Sequence, residues 1–270
     1  MSAVIEVNGL TKLFGNFKAV DNLSFKVEEG EVYGFIGQNG AGKSTTIRML
    51  LDLLRPTSGT IRIFGKDLQY NRNEILRRTG AIIERPDLYT YLSGYDNLSL
   101  FARLSGVRIS KGKINDQLEM VGLGGRGNDK VRVYSLGMKQ RLGIAVAMVH
   151  DPDLIILDEP ANGLDPQGIV DIRNLIRELS VVRKKTVLVS SHLLSEVEQV
   201  ATRILIIDKG RKMVEGTVSE LAHPKTVLIE LETDNNVSCK DKLTSFRGDL
   251  RVELNSNNKL QIELRQEQIP

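Results

Sequence analysis

Cysteine is all but missing. The single one, Cys239, excludes an internal disulfide and any cysteine-rich metal spacing, and suits a reducing cytosol. Also missing is any apolar run approaching the roughly 18 residues needed to span a membrane, so a membrane role has to come through a partner. The first residues, MSAVIEVNGL, lack a basic region followed by a long apolar segment, and no signal peptide is read there. A concentrated basic patch is missing too. The formal net charge is +3 and the longest Lys/Arg run is Arg183-Lys184-Lys185, which reads as a solvated loop, so no nucleic-acid partner is expected. The 270 residues suffice for a substantial core, in one large domain or a domain with an appendage.

Strand-like and helix-like segments alternate, which argues for an α/β fold with a largely parallel sheet. The N-terminal stretch differs. Ala3 to Val7, Phe17 to Val20 and Leu23 to Val27 read as short strands, separated by turn residues, in an antiparallel β layer. Glu31 to Ile36 is a short apolar strand running into glycines. From Ser44 to Leu54 the residues Ile47, Leu50, Leu51 and Leu54 share one helix face, and Pro56 closes the helix. Residues 88–150 read as mainly helical, with glycine-rich breaks from Gly122 to Gly127. Leu154 to Leu157 is too short for a helix and fits a buried strand. Ile169, Ile172, Ile176 and Leu179 mark a further helix; Val187 to Val189 and Ile204 to Ile207 read as strands. A main domain over 1–220 is thus followed by a small β-rich appendage over 221–270. There Val227 to Glu232, Leu250 to Leu254 and Leu260 to Leu264 alternate apolar with polar residues. The last residues, Gln268-Ile269-Pro270, form no obvious closing element, which leaves open that the chain is cut there.

The strongest motif is GQNGAGKST, residues 37–45, in the pattern G-x-x-x-x-G-K-[ST] between a strand and a helix. Glycines let backbone N–H groups curl around a phosphate without Cβ clashes, and the helix N-terminus adds partial positive charge. Gly37, Asn39, Gly40, Ala41, Gly42, Ser44 and Thr45 are therefore candidate phosphate-binding residues. Lys43 reaches the β and γ phosphates, and the Ser44 hydroxyl is placed to ligate Mg²⁺. The second motif is LIILDEP, residues 154–160. Its strand delivers Asp158 to the carboxyl edge of the sheet, where ligands bind in open α/β folds. Asp158 would hold Mg²⁺ through water, and Glu159 would polarise an attacking water as general base.

In these motifs the chain resembles the nucleotide-binding subunit of an ABC transporter, over roughly residues 3–220. YSLGMKQR, residues 134–141, is similar to the family signature Leu-Ser-Gly-Gly-Gln: Ser135 and Gly137 match, while Tyr134, Leu136 and Met138 depart. ANGLDP, residues 161–166, resembles the family's D-loop, and SSH, residues 190–192, puts His192 at the switch histidine. Phe14 falls where an aromatic ring stacks on adenine; core packing is the rival reading. The resemblance implies a phosphate-loop NTPase core with a helical signature subdomain, and ATP with Mg²⁺ as cofactors. It also implies a head-to-tail pair, as homodimer or heterodimer with a related subunit. Each ATP would lie between one phosphate loop and the partner's Ser135 and Gly137. A helix from Met138 to Met148 would point its N-terminus at the γ-phosphate, His192 would contact that phosphate, and Asp165 would link the two sites. The protein would then be an ATPase serving separate integral membrane permease subunits, peripheral on the cytoplasmic inner face of the cell membrane. Tyr89, Tyr91 and Tyr95 read either as helical-subdomain core or as the rim of a groove for a membrane subunit.

One position departs from the family. The apolar run Ala81-Ile82-Ile83 ends in Glu84, where the family carries Gln. An ionised carboxylate only accepts hydrogen bonds, and it is a candidate Mg²⁺ ligand as well as a link between nucleotide and membrane subunit. Glu84 together with YSLGMKQRLGIA is most similar to exporters of the bacitracin and lantibiotic type. A soluble ABC ATPase acting on ribosomes or DNA is the alternative, although neither tandem cassettes nor a long coiled coil is seen. The signature and His192 argue against a phosphate-loop kinase or GTPase, and Glu159 against a binder without turnover.

Overall fold

Alternating burial in the first 28 residues builds strands, and longer ones than the sequence leads one to expect. The computed structural model of the protein describes residues 3–222, 226–246, 251–254 and 259–265. In it β1 (Ala3–Phe14) and β2 (Phe17–Glu28) pair antiparallel. Gly9 and Asn22, at positions that read as turns, take positive φ of 57° and 52° beside register slips within the ladder. Irregularities of this kind bend a strand without ending it.

The chain then enters a second sheet with β3 (Val32–Ile36), which is buried along its whole length. A loop leads to α1 (Lys43–Leu50). The helix stops short of the expected Leu54. Asp52 adopts φ 52° two residues after its last turn, and Leu54 packs on the core from outside the helix. β4 (Ser58–Ile63) and β5 (Lys66–Asp67) return to the first sheet, whose order is β2-β1-β4-β5. After α2 (Leu68–Arg77) comes β6 (Thr79–Ile82), so Ile83 already lies beyond the strand.

The helical stretch consists of α3 (Gly94–Leu104), α4 (Lys111–Met120) and α5 (Leu136–Ala147), with short 3₁₀ turns at Gly124–Arg126 and Val131–Val133. α5 begins two residues before the expected Met138. β7 (Leu154–Leu157) follows as read from sequence. α6 (Pro166–Arg177) runs on into a π-helical turn, Glu178–Val182, which carries the buried Leu179. Next come β8 (Thr186–Ser191), α7 (Leu194–Val197), β9 (Arg203–Asp208) and β10 (Arg211–Thr217). The second sheet has the order β10-β9-β3-β8-β7-β6, with β9, β3, β8, β7 and β6 parallel.

One continuous core joins the two sheets. Leu10, Leu23 and Phe25 of the antiparallel layer meet Tyr33, Phe35, Ile156 and Leu188 of the parallel one, with Ile47 and Leu50 of α1 among them. Phe25 stacks on Tyr33 and Phe35 at 5.8 and 5.7 Å between ring centres. The antiparallel layer thereby fixes the parallel sheet from one side, and the carboxyl ends of β3, β7 and β8 are left to build a site. The expected phosphate-loop α/β architecture is the one observed.

The chain divides into two compact units, Met1–Gly216 and Thr217–Pro270. The second contains α8 (Val218–Ala222), β11 (Thr226–Leu231), α9 (Asn236–Phe246), β12 (Arg251–Leu254) and β13 (Leu260–Arg265). Its strands form an antiparallel sheet of order β11-β13-β12. Val252, Leu260 and Ile262 form its core with Cys239 and Leu243 of α9, a helix the strand pattern did not suggest. Leu250 and the closing residues 266–270 lie outside the described residues.

Ile156 is fully buried at the centre of the shared core. Ile156→Ala is expected to destabilise the protein by about 2–5 kcal/mol, read as a lowered urea midpoint in equilibrium unfolding.

Candidate nucleotide site

The phosphate loop is moulded by backbone it cannot move. A Cβ on Gly37 would come within 2.5 Å of the Ile207 carbonyl oxygen. Gly42 has φ 107°, and a Cβ there would come within 2.6 Å of the Ala19 carbonyl oxygen. Only glycine fits both constraints at position 42. The loop delivers Lys43 to the first position of α1, where its side chain is almost wholly buried. Its ammonium donates to the Gly37 and Gln38 carbonyls at 2.5 and 3.3 Å and faces Glu159 Oε1 at 3.1 Å.

Glu159 follows β7 with φ 50°, a left-handed conformation rare for a residue with a side chain. Its second oxygen, Oε2, lies 2.8 Å from His192 Nδ1. A carboxylate only accepts, so Nδ1 is the ring nitrogen that carries the proton in this contact. The Lys43, Glu159 and His192 side chains thus form one chain of contacts across the ends of β3, β7 and β8. Asp158 is completely buried. Its Oδ1 accepts from the Ser190 hydroxyl at 2.5 Å, while Oδ2 has no hydrogen-bond partner among the described residues. Ser190 also accepts from the Glu159 N–H at 2.9 Å. It therefore orients both carboxylate-bearing residues, a role the sequence reading missed. The signal available was its place at the end of an apolar strand, two residues before His192.

Of these groups Lys43 and Glu159 open onto a cleft of about 770 Å³, with Asp158 and His192 behind Glu159 and not among its lining residues. Asn39, Gly40, Gly42, Lys43, Ser44, Thr45, Glu84 and Glu159 line it together with Phe14. Ala41 is buried in the loop wall, with its carbonyl accepting from the Gly210 N–H. Phe14 is half exposed, at 50%, so the core-packing alternative does not hold, and Lys12 Nζ stands 5.2 Å from its ring centre. Glu84 has φ 59° and its carboxylate accepts from Arg48 at 2.7 Å. Arg48 lies on α1 one turn after Ser44, so within this chain the Glu84 carboxylate faces a guanidinium. The loop carrying Glu84 is pressed on α5: a Cβ on Gly143 would come within 2.5 Å of Pro86 Cβ.

The residues expected to face a second subunit, Ser135, Gly137 and Asp165, do not line the cleft. Ser135 caps α5 by accepting from the Met138 N–H at 3.2 Å, and Asp165 caps α6 by accepting from Gly168 at 2.9 Å. A Cβ on Gly137 would meet only Leu164, at 3.9 Å. Leu136 and Gln140 are the α5 residues that reach the cleft. Tyr89 and Tyr91 are both exposed, at 38% and 66%, and contact each other edge to face, so neither is core; Tyr95 is half-buried.

A glycine loop opening a helix, a buried aspartate with a free oxygen and a glutamate beside it define the nucleotide cleft of a phosphate-loop ATPase. Comparison with known proteins narrows this. Residues 20–162 match the family model described as ABC transporter. The chain is 50% identical over 237 residues to the bacitracin transport ATP-binding protein BcrA of Bacillus licheniformis, covering 87% of this chain and 77% of that one. It is 42% identical over 212 residues to the lantibiotic transport ATP-binding protein SrtF of Streptococcus pyogenes, covering 78% of this chain and 90% of that one. Among solved structures, cbiO1 from Clostridium perfringens, part of the ABC transporter complex cbiONQ, superposes with TM-score 0.75 at 26% identity. It covers 83% of this chain and 92% of that one. The chain belongs to the ABC transporter family. It is an ATPase of that family, and ATP is its nucleotide.

Ser190→Ala leaves the Glu159 N–H and one Asp158 oxygen without their shared partner. We expect a loss of about 1–3 kcal/mol, measured as a lower thermal midpoint, together with reduced phosphate release.

Proposed function

We propose that the protein hydrolyses Mg-ATP to power export of an antibiotic or peptide through separate integral membrane subunits. The contact chain Lys43–Glu159–His192 carries the catalytic part of this reading. The kinship with bacitracin- and lantibiotic-transport ATP-binding proteins supports the cargo.

The phosphate-loop N–H groups from Gly37 to Thr45 would cradle the β and γ phosphates, and the Lys43 ammonium would turn from the Gly37 and Gln38 carbonyls toward them. A phosphate is the stronger partner for an ammonium, because charge-assisted bonds outweigh those to neutral carbonyls. Glu159 would then accept the proton of the attacking water, with His192 orienting its second oxygen. Phe14, half exposed beside the phosphate loop, would stack on the adenine. Mg²⁺ fits the donors present: Asp158 Oδ2 is buried without a hydrogen-bond partner among the described residues, and Ser44, with its hydroxyl, lines the cleft beside Glu159. Among the described residues no three His, Cys, Asp or Glu side chains converge on one point. This suits a cation that keeps its waters and shares the nucleotide's phosphates. Bound there, Mg²⁺ would supply charge neutralisation at the phosphate oxygens.

Ser135, Gly137 and Asp165, which lie outside the cleft of their own chain, would face the nucleotide of a second nucleotide-binding subunit, so that two ATPs hold a head-to-tail dimer together. Among the described residues no helix is long and apolar enough to cross a membrane, which agrees with separate permease subunits and a peripheral place on the inner membrane face. Tyr89 and Tyr91 would edge the groove that receives them, and Glu84 would couple nucleotide state to that groove.

Glu159→Gln should lower kcat by about 10²–10⁴-fold, the usual worth of a general base, and trap an ATP-bound dimer. A variant that stays monomeric on size exclusion with saturating Mg-ATP would contradict the mechanism. Lys43→Ala should weaken nucleotide binding or turnover; normal turnover would remove the phosphate loop from the site. Affinity purification from native membranes should recover an integral membrane protein, whereas recovery of ribosomes alone would end the transport reading. Glu84→Gln and Glu84→Ala should both alter ATPase and export. If each matches wild type in both assays, Glu84 is a surface charge only.

A further inference from the structure

The turn between β9 and β10 meets the phosphate loop from below. The Gly210 N–H donates to the Ala41 carbonyl at 2.9 Å, and the Gly210 carbonyl accepts from the Asp21 N–H at 2.9 Å. One peptide unit on each side of Gly210 thus joins the phosphate loop to β2, the strand that presents Phe17 and Ala19 to the cleft. Gly210 has φ 79°, and a Cβ there would come within 2.8 Å of the Ala19 carbonyl oxygen. That is the same oxygen a Cβ on Gly42 would strike. Three backbone segments therefore meet at Ala19 without room for a methyl group. Around this junction the Arg211 guanidinium grips Asp21 Oδ2 with Nε at 2.8 Å and Nη2 at 2.6 Å, and Lys18 adds a contact to Oδ1 at 3.3 Å. Arg211, with Lys18 assisting, holds the Asp21 carboxyl below the usual carboxylate range, so Asp21 is ionised at neutral pH.

We propose that Asp21, Gly210 and Arg211 are positioning residues for ATP: the Asp21–Arg211 pair clasps the β9–β10 turn onto β2, and Gly210 hands that placement to the phosphate loop through Ala41. Arg211 is 70% exposed and Asp21 13%; with the guanidinium in solvent the pair contributes little to folding, and the clasp acts on the geometry of the loop more than on global stability. Misplacement of a phosphate-binding loop, by contrast, is felt steeply. The contacts that fix the loop thus join segments far apart in sequence: Arg211 and Asp21 are 190 positions apart.

The test compares Arg211→Ala, Asp21→Asn and the exchanged pair Asp21→Arg with Arg211→Asp in the full chain. Titration with a fluorescent ATP analogue gives affinity, steady-state kinetics give KM and kcat, and thermal melting gives stability. Each single variant should weaken ATP binding by about 10-fold, with KM rising by more than kcat falls, at an unchanged thermal midpoint. The exchanged pair should recover most of the affinity. Unchanged affinity in both single variants would overturn the proposal. So would a loss of affinity that tracks a lowered midpoint and is not recovered by the exchange. Wild-type binding in the same titration separates a failed clasp from a failed nucleotide site.

Discussion

A buried ammonium has to be paired where it sits, and the site is arranged around that requirement at Lys43. With 5% of its surface exposed, the side chain cannot rely on water for its charge. Two loop carbonyls and the Glu159 carboxylate take that role. Glu159 in turn is held by His192, and its backbone by Ser190. Three strand ends from distant parts of the sequence are thereby tied to a single charge. The left-handed backbone at Glu159 fits this picture, since strain of that kind persists where the surroundings over-determine a residue.

What the sequence made legible follows from how local each signal is. The loop from Gly37 to Thr45 and the strand from Leu154 to Leu157 are written in contiguous residues, and both stand where the motifs put them. Asp158 and Glu159 follow directly from the second of these. The longer β1 and β2 were hidden because Gly9 and Asn22 punctuate a strand as they would a turn, and only cross-strand pairing distinguishes the two. The end of α1 was hidden for a related reason. The apolar period continues to Leu54, which does pack on the core, but Asp52 has already left the helix. Ser190, Arg48 and Gly210 act through contacts distant in sequence, and no spacing rule reaches them.

Ser135 and Asp165 are helix caps in their own chain, and both remain exposed, so capping a helix leaves each side chain accessible for the role proposed for it toward a second subunit. The Phe14 ring is half exposed and lines the cleft. Glu84, at the position where the family carries glutamine, stands against Arg48 on the helix that follows the phosphate loop. The charge that the substitution adds is therefore answered locally, on the same helix that carries Ser44.

The contact between Gly143 and Pro86 has a consequence for how this surface can drift. Pro86 is a rigid ring and α5 a regular helix, so neither yields to a methyl group placed between them at 2.5 Å. At the exposed Ser135 a substitution costs the cap of α5 but meets no limit of volume. At Gly143 substitutions are bounded by volume, and any side chain there would lever the strained backbone at Glu84, two residues before the proline. Position 143 is in effect a fixed hinge pin: the loop behind Glu84 and the helix behind Ser135 are free to diversify only in ways that leave it bare.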